Sequence, residues 1–168
     1  RFDLGMLCFS PQIWASDNTD AVERCRIQYN LSYLYPLSTI GAHVSAAPHS
    51  QTLRDTPLST RGNISFFGLL GYEFDLADLT PVETDEIKNQ ISFYKRYRNI
   101  FQFGTFRRLK ASEGISMQVS HGDTAVAGLF HELVHAAPGY ERLYPRGLEP
   151  DKVYSVLSRR QLLNAVKF

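Results

Sequence analysis

The hydrophobic period of the chain changes at Phe103-Gly104. Upstream, short apolar runs alternate with helically spaced segments. Downstream, short alternating runs are cut at close intervals by turn signals. The first pattern calls for parallel βα units, the second for an all-β unit such as a small sandwich. Two domains follow from this reading, residues 1–103 and residues 104–168.

The firmest predicted element leads up to the change. Thr80-Pro81-Val82-Glu83 sets a cap, a proline at the first helical position and a capping glutamate in register. Ile87, Ile91, Tyr94 and Phe101 follow at helical spacing. Lys95, Arg96 and Arg98 come late, where cations suit the helix dipole, and read as a solvated helix end. Further upstream, Gly5–Phe9 is an apolar run without alternation, the pattern of a strand buried on both faces, and Pro11 ends it. Val22, Cys25 and Tyr29 predict a helix over Asp20–Tyr29. Asn18, Thr19 and Asp20 can cap it, Asp20 itself reading as a first-turn residue with Glu23 three positions on. Gly41–Ser45 reads as a small-residue strand and His49–Asp55 as a polar loop. Thr56-Pro57 opens a helix to about Leu70, with Gly62 and Gly68 as weak points, and Tyr72–Leu76 is the next strand. Beyond Phe103, candidate strands lie at Thr105–Leu109, Ile115–Ser120, Ala125–Val134, Arg142–Tyr144 and Val153–Leu157.

No Gly-rich phosphate fingerprint follows any strand, which favours a barrel over an open nucleotide-binding sheet. A complete (β/α)8 barrel takes about 250 residues, and roughly three βα units fit into the first hundred. The expected fold class is therefore α/β: the C-terminal part of a (β/α)8 TIM barrel, followed by a C-terminal antiparallel β-sandwich.

Apolar residues make up 43% of the chain and charged residues 21%, which suits a folded globular domain. A net charge of +1 and no basic run give no electrostatic case for a nucleic-acid partner. No apolar run is long enough to span a bilayer, so no membrane partner is expected. Cys8 and Cys25 both lie in apolar patterns and read as buried free thiols. That fits a reducing compartment, and a cytoplasmic location is expected. The chain begins at Arg1 without an initiator Met, which leaves targeting open and points to a missing N-terminus.

Asp17 carries the sharpest chemical hypothesis. It falls a few residues past an apolar run and just before a helix, which in a barrel is the catalytic face. Trp14 nearby offers a flat wall for a sugar, and an apolar ring beside a carboxyl favours its protonated, acidic form. On residue type and spacing alone, a helix cap is the commoner role for such an aspartate. His131-Glu132-Leu133-Val134-His135 matches the H-E-x-x-H zinc signature. The context is that of a strand: β-branched residues and Gly128 precede it, and Pro138-Gly139 follows it. A strand would point Glu132 away from the two histidines. His43 reads as a hydrogen-bonded core histidine ahead of a ligand contact. No metal site and no cofactor are expected.

Several stretches together resemble the α-galactosidases of glycoside hydrolase family 36. They include Arg1-Phe2-Asp3, Gly5-Met6, Pro11-Gln12, Trp14 and Ser16-Asp17-Asn18-Thr19-Asp20-Ala21. The likeness continues through Ile27-Gln28-Tyr29, Tyr35-Pro36-Leu37-Ser38, Gly41–Ala46, Thr60-Arg61-Gly62, Gly71-Tyr72-Glu73, Ile87-Lys88 and Gln102-Phe103-Gly104. It is dense to Phe103 and thin after it. The resemblance implies a retaining α-galactosidase that releases terminal α-D-galactose from oligosaccharides such as melibiose and raffinose, working as a homo-oligomer. It maps the general acid/base to Asp17. It places the nucleophile in an earlier K-W-D-like motif, absent from these residues, and a Cys-Ser-Gly-rich sugar loop upstream of Arg1. This chain alone is then expected to be inactive. The other readings are an α-N-acetylgalactosaminidase of the same family, a zinc peptidase through His131, Glu132 and His135, and a non-catalytic β-sandwich module.

Overall fold

The computed structural model describes residues 3–134, 136–137 and 139–157. Helix α1 spans Ala21–Leu31, strand β1 Gly41–Ser45, α2 Leu58–Ser65, β2 Leu69–Glu73 and α3 Pro81–Phe103. Strands β1 and β2 pair in parallel, from Gly41 opposite Leu69 to Ser45 opposite Glu73. On the other side of β1, Ile13 makes a parallel bridge to Ile40. Its N–H donates to the Thr39 carbonyl at 2.6 Å, and its own carbonyl accepts from the Gly41 N–H at 3.0 Å. Ile13, β1 and β2 are thus successive parallel neighbours, with α1 and α2 as the connections between them. β1 is buried along nearly its whole length, as a central parallel strand should be.

Helix α3 forms as its cap dictates. The Thr80 hydroxyl accepts from the Glu83 N–H, and Glu83 reaches back to the Thr80 N–H. Past it, β3 (Thr105–Arg108), β4 (Ile115–His121) and β5 (Thr124–Phe130) form an antiparallel sheet in the order β3-β4-β5. Gly104 stands at the junction because nothing larger fits. A Cβ there would lie 2.4 Å from the Ile100 carbonyl oxygen and 2.8 Å from that of Ser120. β4 is buried on both faces. Met117 and Val119 join the cluster that holds Ile40, Ile64, Phe66, Phe67 and Phe101, so one core runs across the change of period. The opposite face is covered by later chain: Gln118 donates to the Arg146 carbonyl at 2.6 Å and accepts the Arg146 N–H at 3.0 Å.

Several expectations are corrected. Gly5–Phe9 is no strand; Leu4–Cys8 is a 3-10 helix, started by Asp3, whose carboxylate accepts from the Gly5 N–H at 2.8 Å. Leu7 packs against the core, but without a neighbouring strand the other apolar side chains stay exposed, Leu4 at 60% and Phe9 at 84%. Cys8 is therefore exposed, and Cys25 is the buried thiol. Helix α2 stops at Ser65, because the chain must turn to let the Leu69 N–H reach the Ile40 carbonyl. The next strand accordingly runs over Leu69–Glu73 and ends before Leu76, where Asp75 caps a short 3-10 turn. Arg142–Tyr144 and Val153–Leu157 carry no strand. Among the described residues the second unit contributes the three-stranded sheet β3-β4-β5. No described helix is long and apolar enough to cross a membrane.

Candidate active site

The loop between Ile13 and α1 carries Trp14 and Asp17. Asp17 is exposed and does not cap the helix. The cap is Asp20, expected in the first turn, whose Oδ1 accepts the N–H groups of Val22 and Glu23 at 3.0 and 3.1 Å. Asp17 is thereby released from the role its spacing favoured. The Trp14 indole N–H donates to Asp17 Oδ1 at 2.9 Å. Trp14 thus meets the carboxylate with a hydrogen-bond donor, while the residue stays 38% exposed.

Two side chains pack against the Trp14 ring. The ring lies 4.6 Å from the His43 ring, centroid to centroid, and the Arg24 guanidinium carbon sits 5.2 Å from its centre. His43 projects from β1, half-buried, with Nδ1 3.3 Å from Glu73 Oε2 at the end of β2. It is neither fully in the core nor free. Arg24 reaches from α1 and is 1% exposed. It donates to the carbonyls of Ser16 (3.3 Å) and Gly41, fastening the loop to β1. Burial pulls the Arg24 guanidinium below its ordinary value, and the Glu73 charge opposes that.

A second network closes the far end of the loop. Asp20 is 1% exposed. Besides the two cap hydrogen bonds, it accepts the Thr52 hydroxyl at 2.8 Å on Oδ2 and Arg54 Nη1 on Oδ1. Burial would raise its carboxyl, but Thr52, the Glu23 N–H and Arg54 outweigh it and hold the group below the usual carboxylate range. Thr19 is held by His49, with 3.2 Å between Oγ1 and Nε2, and its carbonyl accepts the Ser45 hydroxyl at 3.1 Å. His49, Thr52, Arg54 and Glu73 were not expected at the site. The one signal for the first three is that they share a polar loop directly after a strand.

The zinc signature is not assembled. His131 and Glu132 lie past the end of β5 in a segment without helix, and His135 lies outside the described residues. His131 Nε2 pairs with Glu141 at 2.7 Å, and Arg26 forks onto both oxygens of Glu132. Among the described residues no group of His, Cys, Asp and Glu is arranged to hold a metal. What Asp17 offers chemically is an exposed carboxyl oriented by the Trp14 indole N–H.

Residues 1–104 match the Melibiase family model. Alpha-galactosidase Mel36A of Lactobacillus acidophilus is 44% identical over 161 residues, 94% of this chain and 22% of its own length. The bifunctional alpha-galactosidase/sucrose kinase AgaSK of Mediterraneibacter gnavus is 46% identical, over 92% of this chain and 17% of its own. The crystal structure of the alpha-galactosidase from Lactobacillus brevis superposes with a TM-score of 0.85 at 47% identity, covering 89% of this chain and 21% of that one. A variant of the GH36 alpha-galactosidase AgaA from Geobacillus stearothermophilus, solved with raffinose, gives 0.84 at 42%, covering 89% and 21%. The chain spans about a fifth of the length of these relatives.

Proposed function

This chain belongs to the Melibiase family, and on that footing we propose that it forms the acid/base-bearing part of a retaining α-galactosidase. Residues 1–103 supply the last βα units of a (β/α)8 barrel, a reading supported by the parallel order of Ile13, β1 and β2. Residues 104–168 belong to a C-terminal β-sandwich. The substrate is an α-galactoside oligosaccharide; two variants of AgaA, solved with raffinose and with stachyose, support that class. The complete enzyme cleaves terminal α-D-galactose.

The single observation that carries the reading is the placement of Asp17. It is exposed, it is freed from capping by Asp20, and one of its oxygens is held by Trp14. With Oδ1 accepting the indole N–H, Oδ2 is left to carry the travelling proton. In the first step a carboxylate outside this chain bonds to the anomeric carbon while Asp17 protonates the departing oxygen. In the second, Asp17 takes a proton from water as that water attacks, and galactose leaves with its configuration retained. Retaining geometry sets the two carboxyls about 5–5.5 Å apart.

The test is Asp17→Ala in the complete enzyme. With a natural α-galactoside, kcat/KM is expected to fall by about 10²–10⁴-fold. With p-nitrophenyl α-galactoside, whose leaving group departs without a proton, the loss should be much smaller. Equal losses would count against the acid role.

A further inference from the structure

Helix capping alone does not explain the burial and the partners of Asp20. A cap needs only the N–H groups of Val22 and Glu23. Asp20 also holds Thr52 and Arg54, which stand 32 and 34 residues further along the chain. Both come from the segment that joins β1 to α2. His49, from the same segment, grips the neighbouring Thr19. Its Nδ1 accepts the Thr52 N–H at 3.3 Å, so Nε2 carries the proton and donates to the Thr19 hydroxyl. At the other end of the Asp17 loop, Ile13 is bonded to the backbone of Thr39 and Gly41. The loop is therefore tied at both ends to β1 and the chain next to it, and Asp17 rides between the ties.

We propose that the segment after β1 is the positioning device of the acid/base: Thr52 and Arg54 on Asp20, and His49 on Thr19, set where Asp17 stands. The proposal rests on the assignment of Asp17 as acid/base. These are positioning residues, since they act through the loop and touch no reacting atom. A proton donor works only within hydrogen-bond reach of the departing oxygen. A misplacement of about 1 Å can cost on the order of 10²-fold in rate. Such a loss falls on proton transfer, and so depends on the leaving group, whereas a general loss of folded protein does not.

The experiment uses the complete enzyme with Thr52→Val, Arg54→Ala and Arg54→Lys, and with Asp17→Asn in parallel. kcat/KM is measured on an alkyl α-galactoside and on p-nitrophenyl α-galactoside. Thr52→Val and Arg54→Ala are expected to lose about tenfold on the alkyl substrate and less than about threefold on the activated one. Arg54→Lys should recover part of the loss. Thr52→Val is nearly isosteric and carries the test if Arg54→Ala fails to fold. Equal losses on the two substrates, or no loss on either, overturn the positioning role. If Asp17→Asn shows the leaving-group dependence while Thr52→Val does not, the acid assignment stands and the positioning falls. If Asp17→Asn lacks that dependence, the acid assignment fails and the positioning fails with it.

Discussion

Trp14 and Asp17 stand three residues apart in the chain and are joined side chain to side chain, indole N–H to carboxylate, at 2.9 Å. His43 and Arg24 both pack against the indole ring that carries that N–H. A tryptophan serving as a sugar wall would act on binding; one serving as a donor acts on the acid. Trp14→Phe keeps most of the ring and removes the donor, and separates the two. In the complete enzyme it is expected to lower kcat by about tenfold on unactivated α-galactosides, with KM little changed. A raised KM with unchanged kcat would assign Trp14 to the wall instead.

The parts of the fold that could be read from the sequence are those set by neighbouring residues. The α3 cap, its proline and its glutamate act within one turn, and the helix spans Pro81–Phe103 as expected. Gly41–Ser45 is a strand as expected, because small apolar residues suit a position between two neighbours. Gly5–Phe9 failed because an apolar run becomes a strand only with a partner, and Asp3 turned it into a 3-10 helix first. The parallel contact falls instead on Ile13, where nothing in the local pattern marks it. At the site, spacing favoured capping for Asp17 over the chemistry that its place before a helix allowed, and the family resemblance reversed that order. The grip of Thr52 and Arg54 on Asp20 was illegible because it closes over 32 and 34 residues of chain.

Gly62 reads in the sequence as a weak point of α2, and the structure gives it a different part. A Cβ at that position would lie 2.3 Å from Gln90 Oε1 and 2.4 Å from its Cδ. Gln90 cannot swing away cheaply. It is 1% exposed, donates to the Leu58 carbonyl at 3.1 Å and accepts the Tyr72 hydroxyl at 3.1 Å. In an unpacked helix, Gly→Ala gains about 0.5–1 kcal/mol. Overpacking costs about 1–3 kcal/mol, and displacing Gln90 adds the loss of its hydrogen bonds. Gly62→Ala is therefore expected to destabilise, lowering the urea midpoint. A raised midpoint would show that α2 and α3 can part without loss.

Asp20 links stability to pH with a definite sign. Its folded carboxyl lies below the ordinary value: burial pushes it up, and Thr52, the Glu23 N–H and Arg54 together push it further down. A group of this kind stabilises the fold fully above the unfolded carboxylate value of about 4. Its contribution is lost as pH falls through the lower folded value. Asp20→Asn keeps an oxygen for the cap but gives up the charge facing Arg54, which is left partly buried. The variant is expected to be less stable at pH 7 by about 1–3 kcal/mol, with the gap narrowing as pH drops below about 4. Urea midpoints of the two proteins at pH 7, 5 and 3 measure it. A gap that stays constant across that range would mean that the Asp20 charge does not stabilise the loop, and that its grip is one of shape.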